Sequence, residues 1–374
     1  MRTIHTSCLM TIAALAVATS CGKSDTPAAA SGPVDVRLVV SSGDNTRVGS
    51  DATDNDIRQL RVYAFKGDTT VGYAEVDKLQ GQNYIPITLS EGGKINFYVI
   101  ANDNFGPKPT IGTKPVTDWT LLSKTDLESL KFDLSGFGGW SATDDFISPM
   151  SNNRYDEFGN ELKNDSGTAA YENDYGTAVN VNVTKPTTGT LVIPVTVQHV
   201  LGRLRLMLNK ESDDVTITLK RAAVYNRPDY FLLYNSGSAD IEYNNNNKSL
   251  VDEFVVSDIP LGTTQKEVAR TYLAPNLYGS SDPNTYTAQK TDGTTSNGLN
   301  KAYCLELTVE FAYTTGTSEI KETKYYTVYL PRVPRNTSID VQGTFKGTVV
   351  DIKPTFNIMV NAWVERPIDI PAFE

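Results

Sequence analysis

Val34, Val36, Leu38 and Val40 fall on one side of an extended backbone, and Asp35 and Arg37 fall on the other. A period of two with one apolar side is the signature of a half-buried strand. Comparable runs recur at Leu60 to Phe65, Ile85 to Leu89, Ile95 to Ala101, Leu191 to Val197, Gly202 to Leu208 and Val215 to Leu219. Further ones follow at Leu305 to Phe311, Tyr325 to Leu330, Ser338 to Lys346 and Phe356 to Val364. Clusters of Gly, Asn, Asp and Pro separate them, which is the turn chemistry of an all-β sandwich protein. One short helix is predicted at Asp126 to Leu130, with Thr125 as its cap and Glu128 three residues on. Pro194 and Gly202 break the apolar run Leu191 to Leu208 into two strands with a bend, so a domain boundary falls near Gln198. Two stretches read as surface excursions: Trp140 to Lys185, rich in Asn, Asp, Gly and Tyr, and Ala239 to Lys248, with its run of asparagines.

The chain has 374 residues, 34 basic and 44 acidic, for a net charge of −10. An acidic chain is a poor match for nucleic acid or an anionic membrane. Its 39% apolar content is enough for true cores at a length that suits two domains. Only His5 and His199 are present, so a zinc site built on several imidazoles is excluded, and any catalytic triad would rest on His199. His199 sits at the inter-domain junction, where a packed, structural role is the expectation. Asp51, Asp54 and Asp56 resemble a fragment of a calcium loop but lack its glycine and distal glutamate. No phosphate-binding glycine loop and no Cys-x-x-Cys pair occurs. These readings predict no metal, no cofactor and no enzyme.

Residues 1–20 carry Arg2, an apolar stretch from Cys8 to Ala18 that is too short to span a bilayer, and then small residues leading to Cys21. This resembles a bacterial lipoprotein signal peptide, with Ala18-Thr19-Ser20-Cys21 as the lipobox; Ala18 stands where leucine is usual. The resemblance implies acylation of Cys21 and an outer-membrane lipoprotein; the plainer reading is an ordinary secretory signal. Lipidation would leave Cys304 as the one cysteine inside the mature fold. Its strand-like setting, Tyr303 to Val309, predicts a small buried side chain. From Gly22 to Pro33 runs a small-residue tether.

After the first strand, Ser41-Ser42-Gly43-Asp44-Asn45-Thr46-Arg47-Val48 forms a polar loop of the kind in which proteolytic nicking concentrates. On residues alone this is simply the first strand of a sandwich followed by a solvated arginine. Together with IRQLRVYAF, KINFYVIAN, VQHVLGRLRLML, RTYLAP, PRNTSIDVQGTFKG and FNIMVNAWV, however, the order and spacing resemble the fimbrillins, pilin precursors of type V pili. The resemblance covers nearly the whole chain from Cys21, except Trp140 to Lys185. It implies two transthyretin-like antiparallel β-sandwich domains in tandem. Residues 21–47 would be a lipidated propeptide carrying the first strand, 48–198 the N-terminal domain and 199–374 the C-terminal domain. It also implies cleavage between Arg47 and Val48 by an extracellular arginine-specific protease; Arg58 and Arg61 lie at or inside the next strand and are worse sites. Loss of the strand bearing Val34, Val36, Leu38 and Val40 would open a groove for a strand from another pilin subunit. The family's donor is a C-terminal tail, and here Trp363, Val364, Ile368, Ile370 and Phe373 would supply it, with Pro367 and Pro371 as a complication. The tail as a plain last strand is the competing reading.

A polymerising stalk subunit is the expectation, with a tip adhesin of the same pilus as alternative. A surface glycan-binding lipoprotein would share the leader, charge and fold, and would need exposed rings from among Trp119, Trp140, Tyr155, Tyr171 and Tyr175. It would have no use for a protease site after the first strand. The host or bacterial ligand of an adhesin is not legible in the sequence.

Overall fold

The computed structural model describes residues 32–42, 57–77, 84–103, 108–134, 148–152, 178–228, 230–234, 252–276, 303–331, 333–348 and 351–362, and the structural statements below concern these. Cys21, Arg47, Val48, Trp140, Tyr155, Tyr171, Tyr175, Trp363, Val364, Ile368, Ile370 and Phe373 lie outside them.

The protein is built of strands, as the alternation predicts. In chain order the first are β1 (Val34–Ser42), β2 (Leu60–Lys66), β3 (Thr69–Val76), β4 (Tyr84–Leu89), β5 (Gly93–Ala101), β6 (Pro109–Ile111) and β7 (Lys114–Pro115). After a 3-10 turn at Trp119–Leu121 and helix α1 (Lys124–Glu128) come β8 (Lys131–Asp133), β9 (Met150–Asn152), β10 (Val181–Val183) and β11 (Leu191–His199). They form a sheet in the order β3-β2-β5-β9-β11-β1-β4, with β10 on β5. Its inward side chains, among them Leu60, Val62, Ile95, Phe97, Val99, Ile193 and Val195, make the first core.

The second half supplies β12 (Gly202–Lys210), β13 (Thr216–Tyr225), β14 (Tyr230–Leu232), β15 (Asp252–Val255), β16 (Ile259–Pro260) and β17 (Lys266–Leu273). The long strands β18 (Cys304–Thr315), β19 (Ser318–Tyr329), β20 (Thr337–Thr348) and β21 (Asp351–Ala362) complete it. Here two sheets, β17-β12-β20-β21 and β15-β13-β18-β19, face each other across a second core. Alternation in β12 and β18 puts Leu204, Leu206 and Leu208 against Leu305, Leu307, Val309 and Phe311. Gly343 has no room for a side chain: a Cβ there would lie 2.7 Å from Leu208 and 2.8 Å from Phe356. Cys304 is buried and free, the small apolar part expected of it.

The two halves repeat one arrangement. In each, the first strand runs parallel to a later long strand and antiparallel to an intermediate one: β1 with β11 and β4, β12 with β20 and β17.

A third cluster joins the halves. All of β2 from Leu60 to Phe65 is buried, because Leu60, Val62 and Ala64 enter the first core while Tyr63 and Phe65 point to the other side. There they meet Tyr98, Leu127, Leu130 and Phe132 from the first half and Phe231, Tyr234 and Tyr272 from the second. Phe132 and Phe231 stack at 4.8 Å where β14 pairs with β8. Tyr234 donates its hydroxyl to the Val99 carbonyl at 2.9 Å, and Arg335 donates to Ser151 Oγ at 2.6 Å. His199, at the end of β11, is buried; desolvation, aided by the charge of Arg203, lowers its pKa to about 3. A neutral packed imidazole at this junction is a structural part.

One local expectation is corrected. The helix begins earlier than predicted, at Lys124, because Ser123 and not Thr125 caps it: Ser123 accepts from the Asp126 N–H, and the Asp126 carboxylate accepts from the Ser123 N–H in return. Asp126 plays the part assigned to Glu128. The two strands read from the run Leu191 to Leu208 are present: β11 runs from Leu191 to His199 with Pro194 inside it, and the turn to β12 comes at Val200 and Leu201. Short strands β9 and β10 also lie within the stretch read as one excursion.

Arg227 ties the joint further, with Nη1 2.6 Å from Asp252 Oδ1 and Nη2 donating to the Leu134 carbonyl at 2.8 Å. Both side chains are buried, and Arg227 Nε and Asp252 Oδ2 have no hydrogen-bond partner. Burial outweighs the attraction of Arg227 and raises the Asp252 pKa to about 6. As pH falls from about 6 toward the unfolded value near 4, the folded protein takes up a proton that the unfolded chain does not. This carboxyl therefore adds stability on acidification, at ~1.4 kcal/mol per pH unit in that window. Denaturant titrations of wild type and D252N at pH 7, 6 and 5 will show the variant lacking this increment; equal pH slopes for both proteins would contradict it.

Candidate functional site: a strand held between two walls

The residues singled out in β1 are brought together as a single buried row. Val34, Val36, Leu38 and Val40 are each 0–1% exposed and belong to the first core. On one flank β1 pairs antiparallel with β4, from Val34 opposite Leu89 to Val39 opposite Tyr84. On the other it pairs parallel with β11, from Val36 opposite Leu191 to Ser42 opposite Val197. β4 has β1 as its sheet neighbour, and its remaining described backbone tie is the Ser90 N–H to the Val71 carbonyl at its end. Thus β1 is an interior strand whose loss would expose two walls at once.

Prolines in both walls fix which backbone groups meet β1. Arg37 is opposite Pro86 of β4, and Val39 is opposite Pro194 of β11. Proline has no N–H, so Arg37 and Pro86 make a non-hydrogen-bonded pair, and the exchanging pairs are Val36 with Ile87 and Leu38 with Ile85. The residues between, Arg37, Val39 and Ser41, turn their backbone groups to β11, where the flanking residues Ile193 and Val195 answer. Each wall keeps its donors toward β1, and each proline places its missing donor on the far side.

The outer face adds polar contacts to β4. Asp35 Oδ1 accepts from Thr88 Oγ1 at 2.8 Å, and the Arg37 guanidinium lies over the Tyr84 ring at 4.6 Å. These partners were invisible in the sequence, because pairing of β1 with β4 bridges some fifty residues of chain with nothing local to mark it. The apolar row, by contrast, was fully legible.

Trp119, a candidate platform for sugar, is engaged elsewhere. The Arg61 guanidinium sits 4.8 Å from its ring centroid, and its carbonyl accepts the Tyr63 hydroxyl at 2.7 Å. Arg61 itself is paired with Asp103 and Glu75, so this aromatic closes over a buried charge network. Among the described residues no group of three or more His, Cys, Asp or Glu is placed to hold a metal ion. No described helix is long and apolar enough to cross a membrane.

The sandwich with β1 as an interior strand can be set beside known proteins. Residues 33–198 match the family model described as major fimbrial subunit protein (FimA). The resemblance to fimbrillins read from the sequence is borne out. Among solved structures, a candidate cell adhesion protein from Parabacteroides distasonis ATCC 8503 superposes with a TM-score of 0.51 at 11% identity, over 90% of this chain and 99% of its own. Another from Bacteroides eggerthii DSM 20697 gives 0.51 at 14% identity, over 89% and 96%. The tip fimbrial protein Mfa3 from Porphyromonas gingivalis gives 0.47 at 15% identity, over 87% and 99%. At these identities the likeness is one of fold. No curated protein matches the chain in sequence.

Burial of four aliphatic side chains is worth about 1.5–3 kcal/mol each before ordering costs. Leu38→Ala in the uncut protein is accordingly expected to lower the unfolding free energy by about 2–5 kcal/mol. Arg37→Ala, one residue away on the solvated face, should cost under about 1 kcal/mol. Urea denaturation of both variants tests this; similar losses would contradict the assignment of the buried face.

Proposed function

We propose that this protein is a structural pilin precursor: lipid-anchored at the outer membrane through Cys21, cut after Arg47 by an extracellular arginine-specific protease, and polymerised by strand exchange. The observation that carries the reading is the position of β1. It is an interior strand by its contacts and the first described strand of the chain, followed by residues 43–56, which contain the proposed cut. A fold whose first strand had no further purpose would gain nothing from placing it between two walls while the polar loop after it carries a candidate cleavage site.

The energetics argue that cleavage alone does not free the strand. Four buried side chains and two ladders hold it by an amount comparable to the stability of a small domain. Severing the peptide bond removes the covalent tether and leaves the strand bound. Its replacement then requires a competitor that makes equivalent contacts, and exchange by such a competitor is what drives assembly. Partners on this reading are other pilin subunits and the protease, with the finished subunit in a fimbrium on the cell surface. The role is mechanical and adhesive, with no catalysis assigned to any residue. A tip position in the same pilus remains the second reading; the engaged state of Trp119 supports either over a glycan-binding lipoprotein.

Limited digestion of the form beginning at Gly22 with an arginine-specific protease is expected to give a single early cut and a Val48 N-terminus. The released segment should co-migrate with the body until displaced, and denaturant-resistant oligomers should follow once a competent donor is supplied. Arg47→Ala should block the whole sequence. An early cut elsewhere with residue 47 untouched, or a chain that digests without either co-migration or assembly, would count against this function.

A further inference from the structure

The slot occupied by β1 restricts its replacement more tightly than a requirement for an apolar strand. This inference rests on the strand-exchange reading above. Backbone parity is set by Pro86 and Pro194: Val34, Val36 and Leu38 exchange hydrogen bonds with β4, and Arg37, Val39 and Ser41 bond to β11. A replacement must therefore run with β11 and against β4. It must bring an aliphatic side chain to each buried position, because those sites are 0–1% exposed and a charge there would be buried without a partner. It must also avoid proline at the positions of Arg37, Val39 and Ser41, where an N–H is needed toward β11.

The segment Trp363 to Glu374 of this chain can be threaded against that template. Its alternating apolar run is Ile368, Ile370 and Ala372, bounded by Arg366 and Glu374 on the same side. With Ile368 and Ile370 at the Val34 and Val36 positions, Glu374 falls at Val40 and Pro371 at Arg37. Shifted by two, Arg366 falls at Val34 and Pro371 at Val39. Shifted again, Arg366 falls at Val36, with Pro367 at Arg37 and Pro371 at Ser41. Every register that buries both isoleucines also buries a charge and removes at least one N–H from the parallel ladder. The sequence of β1 itself meets all three conditions.

We infer that the strand this subunit receives is not residues 363–374 of a second copy but a segment of a different partner subunit, with aliphatic residues at four alternate positions and no proline between them. Residues 363–374 are then either a donor for a differently shaped slot or no donor.

The test uses the Arg47-cut protein and three synthetic peptides, with binding followed by displacement of a fluorescently labelled β1 segment. One peptide is the β1 sequence Pro33 to Ser42. The second is Trp363 to Glu374. The third is that same segment with Arg366→Val, Pro367→Thr, Pro371→Thr and Ala372→Val. The expected result is efficient displacement by the first and third, and at least 100-fold weaker displacement by the second. Cut protein alone should stay monomeric. If the second peptide displaces the label as well as the first, or the cut protein polymerises through its own residues 363–374, the inference is overturned while strand exchange stands. If neither the β1 peptide nor the third displaces the label over days, strand exchange itself fails, and this inference with it.

Discussion

The hydrogen-bonded insertion of β1 between β4 and β11 is the interaction on which the first sandwich depends. It satisfies two rows of backbone groups that have no other use and closes an apolar row that would otherwise face water. Unpaired polar groups and exposed aliphatic area are each costly, and here both would appear together. A strand in this position makes the domain whole, and on the proposed cleavage it would leave that domain dependent on a piece held by non-covalent contact. The second sandwich uses the same parallel and antiparallel pairing for β12, and there the strand is continuous with β11 through Val200 and Leu201.

What the sequence disclosed and what it hid follow from the range of the interactions. Alternation is a local signal, and it marked β1, β5, β11, β12 and β18 closely. Strands of two to four residues, such as β7, β9 and β16, have too few positions to show a period and were missed. The helix cap slipped by two residues because Ser123 and Thr125 are both competent caps, and which one wins depends on the reciprocal bond from Asp126. β2 showed its apolar character but not the reason for it: Tyr63 and Phe65 are buried by a layer that includes residues from the other half of the chain.

The candidate site was half legible. Its apolar row needed only the neighbouring residues, whereas the walls needed tertiary pairing. Pro194 lies inside the predicted strand Leu191 to Val197, although proline is ordinarily unwelcome inside a sheet. In the fold it sits where its absent donor points away from β1, so it interrupts nothing on that side. The residues Cys21, Arg47 and those beyond Ala362 lie outside the described structure, and their roles rest on the sequence and on the proposal built from β1.

The run from β11 into β12 has a mechanical meaning. A strand seated beside β11 is bonded along its length, so a pull along its axis loads those bonds in shear, many at once, rather than peeling them singly. Two residues after His199 the same backbone becomes β12, which is again bonded lengthwise to β20, and β20 in turn to β21. Tension entering at one end of the subunit would thus travel through a chain of lap joints to the other, while the aromatic layer between the halves keeps those joints in line. Were such units joined by the proposed strand exchange, their fibre would resist stretching by the geometry of its ladders, with no covalent bond between neighbours.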